Sequence, residues 1–404
     1  MSSKWLSLEE ALSKALDAAS PISETEQVNI FDATNRILAD DVVATVDVPP
    51  WDNSAMDGYA VNTASLDDET PLNVQGVITA GMEASTPLLA GHAFKIMTGA
   101  PMPPQADAVV MFENTDGGKD KVCIAKAPSS GENIRKKAND IAVGDVLVKQ
   151  GTQLCAEHLM LLSSQGKSDV TVYRKLRVGV VATGSELAHP GSERASTQIY
   201  ESNRVGVSSI LRNENVDIID FGIVEDDEAS LRALFTEAST KVDVMVSSGG
   251  VSVGDADYVK DIISELGNID FWKIAVKPGK PFALGKIGNT LFCGLPGNPV
   301  SSFVTAKLLV VPVIKKLQGQ NGNYEPLYVN ANITRDVKRR AGRRDFQRAT
   351  MVKNTKGEWE VTPFKLQSSG VMTSITSANC LMVIHEDIAT LNKGDSVPVM
   401  PFHL

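Results

Sequence analysis

Cysteine is scarce in this chain: four residues in 404, Cys123, Cys155, Cys293 and Cys380, none in a Cys-x-x-Cys pair. Neither a disulfide framework nor a thiolate zinc site is indicated, and a reducing compartment is expected. Histidine is equally thin. The five imidazoles, His92, His158, His189, His385 and His403, are dispersed, so no site built on several of them is indicated. Long apolar runs are missing too: the longest, residues 308–314, contains Pro312 and falls well short of the roughly 20 residues a spanning helix needs. The opening Met-Ser-Ser-Lys-Trp-Leu has no charged-then-apolar signal pattern. A soluble, cytoplasmic protein with no membrane partner is expected.

Positive charge is in the minority. Lys and Arg number 39 against 49 Asp and Glu, a net charge of −10, so the surface as a whole repels nucleic acid. Any anionic ligand needs a local basic pocket. Hydrophobic residues at 43% and charged residues at 22% are ordinary for globular chains, and 404 residues suffice for two to four domains.

Ser7 and Glu10 form an S-x-x-E capping box ahead of apolar residues at helical spacing, predicting a helix over residues 7–20. Between about 40 and 150, short apolar runs broken by Pro and Gly predict a β-rich region. From 176 the pattern becomes regular. Predicted strands at 176–182, 216–224, 242–247, 271–276 and 290–293 alternate with predicted helices at 200–213, 228–239, 258–266 and 299–317. Such alternation implies crossover connections and a doubly wound, mostly parallel α/β sheet. After residue 322 a β pattern returns, with a turn at 354–357, and defines a C-terminal β domain of about 75 residues.

In a doubly wound sheet, ligands bind outside the carboxyl ends of the strands. Three glycine-bearing loops fall there: TGSE at 183–186, SSGGVSVG at 247–254 and GLPGNP at 294–299. Glycines let backbone N–H groups approach a phosphate closely, so phosphate or nucleotide binding is the reading of these loops. The segment KIAVKPGKP at 273–281 adds Lys273, Lys277 and Lys280 within eight residues of an acidic chain, a cluster suited to neutralising an anion. Carboxylates Glu186, Asp226, Asp227, Asp255 and Asp257 also follow strands. Helix capping competes as an explanation for Asp226 and Asp255. Carboxylates and lysines around one phosphate would suit a Mg²⁺-bridged anhydride.

DNSAMDGYA at 52–60, IMTGAP at 96–101, NIR at 133–135, ATGSEL at 182–187, SSGGVSVGDADY at 247–258, KPGKP at 277–281 and GLPGNPVS at 294–301 occur in that order. Together they resemble the molybdopterin molybdenumtransferase family, which includes the C-terminal domain of gephyrin. The resemblance implies four domains: an elongated one from residues 1–44 and 142–175, an inserted β-rich one over 45–141, an α/β domain over 176–327 similar to molybdopterin adenylyltransferase, and a β barrel over 328–404. It implies a homodimer whose sites are shared across subunits. The implied substrates are molybdate and adenylylated molybdopterin, with Mg²⁺ as cofactor, release of AMP, and molybdopterin adenylyltransferase as upstream partner.

Residue by residue, the resemblance assigns catalytic roles to Asp57, Asp140, Asp226, Asp257, Lys273, Lys277 and Lys280. It assigns substrate binding to Thr98, Arg135 and Glu186, to Ser248, Gly249, Gly250 and Gly254, and to Pro296, Gly297, Pro299 and Ser301. Arg348, Ser368 and Ser369 join them from the C-terminal domain. Glu186, Asp226 and Asp257 are the implied metal ligands. Two positions depart from the family pattern: Ser185 stands where a carboxylate is common and Ala138 where glycine is common. Two other readings stay open, nucleotidyl transfer like the adenylyltransferase and a non-catalytic pterin-binding scaffold.

Overall fold

Apolar residues of the central strands alternate between two buried faces, and that alternation sets the architecture. The structure, a computed structural model, describes residues 5–67, 70–249 and 258–403; Gly250, Gly254, Asp255 and Asp257 lie outside the described residues. The chain divides into two compact units, one of Met1–Ala39, Gly151–Cys155 and Asp169–Leu404, the other of Asp40–Gln150 and Ala156–Ser168.

The first unit is built on a six-stranded sheet. Its order is Asp217–Val224, Arg177–Thr183, Val244–Ser248, Thr290–Leu295, Pro281–Ile287, Gly267–Lys273. The first four strands run parallel, so their carboxyl ends share one rim. Val178, Val180, Val244 and Val246 pack on one face with Leu211, Val304 and Ile314, whereas Val181 and Met245 pack on the other with Leu231, Phe235 and Ile262. Helices therefore cover both faces, the doubly wound arrangement that the alternation predicts.

Three details differ from the sequence reading. The expected strand at 271–276 ends at Lys273, and Val276–Lys277 forms a separate strand. An antiparallel strand, Pro281–Ile287, was not expected at all; it forms a tight hairpin with Thr290–Leu295 through Gly288 (φ +56°). The Gly-Asn pair at that turn was the available signal. The expected helix over 299–317 is two α segments, Pro299–Thr305 and Val311–Leu317, joined by a π turn at Ala306–Val310. Pro312 lacks an N–H and crowds the preceding turn, and the wider π turn accommodates it. The N-terminal helix runs Leu8–Asp17, with the predicted capping box formed: Ser7 Oγ accepts from the Glu10 N–H at 3.0 Å and Glu10 accepts from the Ser7 N–H at 2.9 Å.

The C-terminal β region closes on itself. Arg344–Lys353, Trp359–Pro363, Val329–Ile333, Ser396–Pro401 and Cys380–Ile384 pair in that order, and the last pairs back onto the first, giving a five-stranded barrel. The short strand Val276–Lys277 pairs with Arg344 and Asp345, so the barrel's first strand extends onto the lysine loop of the α/β sheet.

The second unit is β-rich as expected. Its main sheet has the order Ala108–Met111, Gly58–Val61, His92–Ile96, Leu72–Ile78, Lys121–Val122. None of the four cysteines is in a disulfide. Among the described residues, no helix is long and apolar enough to cross a membrane.

Candidate active site

A pocket of about 840 Å³ opens at the carboxyl rim of the parallel sheet in the first unit. Three strand-end loops supply its floor. Thr183, Gly184 and Glu186 follow the first strand, Gly249 follows Val244–Ser248, and Pro296, Gly297, Pro299 and Ser301 follow Thr290–Leu295. Gly249 has φ +96°, and a Cβ there would stand 2.6 Å from the Thr183 carbonyl oxygen, so these two loops approach closely only because residue 249 has no side chain.

Lys277 and Lys280 form the cationic wall. Between them Gly279 has φ +115°, and a Cβ would meet Thr305 Oγ1 at 2.6 Å. This fit seats the loop against the helix that begins at Pro299. The Lys277–Pro278 peptide is cis. Lys277 Nζ lies 3.5 Å from Oδ2 of Asp345, a buried barrel carboxylate, and Lys280 Nζ sits 5.1 Å above the Trp5 ring. One lysine is thus held by a carboxylate and the other by an aromatic face.

The barrel closes the far side with Arg343, Gln367, Ser368 and Ser369. The Val300 N–H donates to the Ser369 carbonyl at 3.2 Å, tying this loop to the helix start. Sequence reasoning missed Arg343 and Gln367. Arg343 had a signal, the run KRRAGRR at 338–344 in an acidic chain, of the same kind that marked the lysine loop.

Of the expected site residues of this unit, Glu186, Asp226, Gly249, Lys277, Lys280, Pro296, Gly297, Pro299, Ser301, Ser368 and Ser369 therefore meet around one pocket. Three described ones do not line it. Arg348 is 1% exposed: its Nε donates to Ser374 Oγ at 3.0 Å and its Nη2 to the Ser368 carbonyl at 3.1 Å, so it braces the serine loop from inside the barrel. Ser248 is also buried, and its hydroxyl accepts from the Asn203 amide at 2.9 Å. Lys273 ends a strand, and its carbonyl accepts from the Leu6 N–H. Gly250, Gly254 and Asp257 lie outside the described residues.

The capping question at Asp226 resolves by one position. Asp227 is the N-cap of helix Glu228–Lys241, accepting from the Ser230 N–H at 3.0 Å, while Asp226 lines the pocket. Glu186 and Asp226 are both exposed oxygen donors of the kind a small hard cation takes, with water and substrate oxygens completing its shell. The residues present fit Mg²⁺.

In the second unit, three segments are laced together. Asn53 pairs with Arg135, and the Gly99 N–H donates to the Ser54 carbonyl. Asp57 Oδ1 accepts from the Thr98 N–H at 2.7 Å and the Thr98 hydroxyl at 2.9 Å. These bonds hold the Asp57 carboxyl below its usual range, the backbone N–H contributing most. Asp57, Thr98, Arg135 and Asp140 are all exposed.

A mostly parallel α/β sheet whose rim gathers lysines, an arginine, serines and carboxylates around an 840 Å³ pocket is an arrangement of the kind that suits a small oxyanion or phosphorylated ligand. Comparison with known proteins narrows this. Residues 6–166 match the MoeA N-terminal region (domain I and II), 179–316 a probable molybdopterin binding domain, and 330–402 the MoeA C-terminal region (domain IV). A molybdopterin molybdenumtransferase of Haemophilus influenzae is 41% identical over 98% of this chain and 99% of its own length. One from Nostoc sp. is 34% identical, over 93% of this chain and 88% of its own. The crystal structure of a molybdopterin biosynthesis MoeA protein from Pyrococcus horikoshii OT3 superposes with a TM-score of 0.84 at 28% identity, covering 99% of this chain and all of that one. The chain belongs to the molybdopterin molybdenumtransferase family.

Proposed function

We propose that this chain transfers molybdenum from molybdate to the dithiolene of adenylylated molybdopterin and releases AMP. The observation that carries the reading is the meeting of Lys277, Lys280, Arg343 and Ser301 with Glu186, Asp226 and Gly249 in one pocket. Three cations and a hydroxyl suit the oxygens of a tetrahedral dianion. The backbone at Gly249 suits a phosphate, and Gly249 alone permits the approach of its loop to Thr183.

Mg²⁺ would be held by Glu186 and Asp226, and when bound it supplies charge neutralisation at the phosphoanhydride. The lysines orient molybdate and offset its charge, while the barrel serines, whose loop Arg348 braces, line the opposite side. The protein works as a homodimer in the cytoplasm, with the Asp57, Thr98, Arg135 and Asp140 surface of one subunit completing the pocket of the other. It receives its pterin substrate from an adenylyltransferase acting upstream. Purified protein incubated with adenylylated molybdopterin, molybdate and Mg²⁺ should release AMP; a yield equal to the enzyme-free control removes the reading.

A further inference from the structure

A second cleft lies behind the rim, about 460 Å³ in volume, and shares only Pro299 with the pocket above. It runs between helix Asn203–Arg212, the helix that starts at Pro299, and the short helix Thr373–Thr376. Its walls are largely apolar: Val207, Ile210, Phe303, Ile375 and Phe402. That size and lining are those of a small-molecule site rather than a packing defect.

Polar groups break the apolar wall, among them Ser302, Lys307 and His403. Ser302 is 1% exposed, and its hydroxyl, which can donate to a ligand oxygen, has no hydrogen-bond partner among the described residues. Unpaired buried polar atoms are costly, and a ligand that supplies partners relieves the cost. Lys307 brings an ammonium to the cleft, 5.6 Å from the Phe303 ring centre and 5.9 Å from that of Phe402. Burial pushes this ammonium below its usual range. Glu214 opposes that shift, but Glu214 also faces Lys315 at 3.8 Å, so two ammonium groups stand against one carboxylate. Among the described residues, this set of three is short of one negative charge.

We infer that this cleft is a binding site for a small monocarboxylate with an apolar body, the carboxylate paired with Lys307 and the Ser302 hydroxyl and the hydrocarbon or ring lying along Val207, Ile210 and Ile375. Neither the transferred metal nor the pterin substrate is involved.

Sodium octanoate is a suitable probe, with octanamide as its neutral counterpart, both titrated calorimetrically into the full-length protein. Octanoate should bind one to one and saturate, and octanamide should bind at least about tenfold more weakly. Lys307→Met, which keeps the apolar stem, should weaken octanoate by a similar factor. Gly206 lines the cleft on a helix, and a Cβ there meets nothing within 4 Å. Gly206→Leu should therefore fold at least as well as the parent, since leucine is the better helix former, and should block the cleft. Saturating molybdate should leave octanoate binding unchanged. Absence of saturable binding, equal affinity for the amide, survival of binding in Gly206→Leu, indifference to Lys307→Met, or displacement by molybdate each overturns the inference.

Discussion

Lys277 carries the sharpest test at the scale of single residues. Its ammonium has a buried anionic neighbour in Asp345 and an open side toward the pocket, so an oxyanion adds to an arrangement already poised. Loss of one such charge beside a developing anion costs on the order of 2 to 4 kcal/mol, roughly 30- to 1000-fold in rate. Lys277→Ala should raise the molybdate concentration giving half-maximal AMP release, and added molybdate should recover part of the rate. Lys277→Arg should not restore it, because a planar fork cannot replace a compact ammonium next to the buried Pro278. Unchanged molybdate dependence would reduce the loop to a charged turn. Ala138 offers a quieter test. It sits at φ +58°, where an L side chain is strained by about 1 kcal/mol, at a position that departs from the family's glycine. Ala138→Gly relieves the strain and gives back part of the gain as chain entropy, so the melting temperature should hold or rise slightly. A clear fall would mean the alanine methyl packs more usefully than the backbone suffers.

Whole elements were the most legible level of the sequence. The continuous apolar runs and the capping box located the parallel strands and helix Leu8–Asp17 closely, because both faces of the sheet are buried and each strand had to be apolar throughout. Strand Pro281–Ile287 stayed hidden because its beginning coincides with the lysine motif, even though the Gly-Asn turn at its end signalled a hairpin. The mismatch at Arg348 is of another kind. Sequence could align it with a site residue but could not show that its guanidinium turns inward to the serine loop. Similarly, the split between Asp226 and Asp227 depended on which side chain reaches Ser230, a one-residue geometric matter. Glycines separate by the same logic. Gly249→Ala places a methyl 2.6 Å from the Thr183 carbonyl in a left-handed backbone and should destabilise the loop by about 1 to 3 kcal/mol, with loss of AMP release. Gly297→Ala lines the same pocket with nothing near its new methyl and no positive φ, so its thermal stability should match the parent's. Equal stability losses in the two variants would contradict this reading of the rim.

At the scale of the whole molecule, the homodimer proposal makes a prediction that no single-chain site shares. A subunit with Asp57→Ala retains its lysine loop, and one with Lys277→Ala retains its Asp57 surface. Each homodimer should be strongly impaired, while co-refolded mixtures should regain AMP release because a mixed dimer holds one intact site. If mixing restores nothing although mixed dimers form, the sites are not shared. The sequence could not have reached this level from periodicity or composition, since quaternary arrangement leaves no spacing signature; only the family resemblance suggested it.

The pairing of Val276–Lys277 with Arg344 and Asp345 bears on when the pocket comes into being. A chain leaves the ribosome from its N-terminus, and the residues that complete the six-stranded sheet emerge well before the barrel does. Residues 328–404, 77 in number, take roughly 4 to 15 s to be made at 5 to 20 residues per second. Early in that interval the lysine loop has no partner strand and Lys277 no Asp345, and Arg343, Gln367, Ser368 and Ser369 are added only as it proceeds. A nascent chain can thus complete the residues of its six-stranded α/β sheet before the pocket has its barrel wall, and the proposed chemistry should wait until the barrel strands have closed.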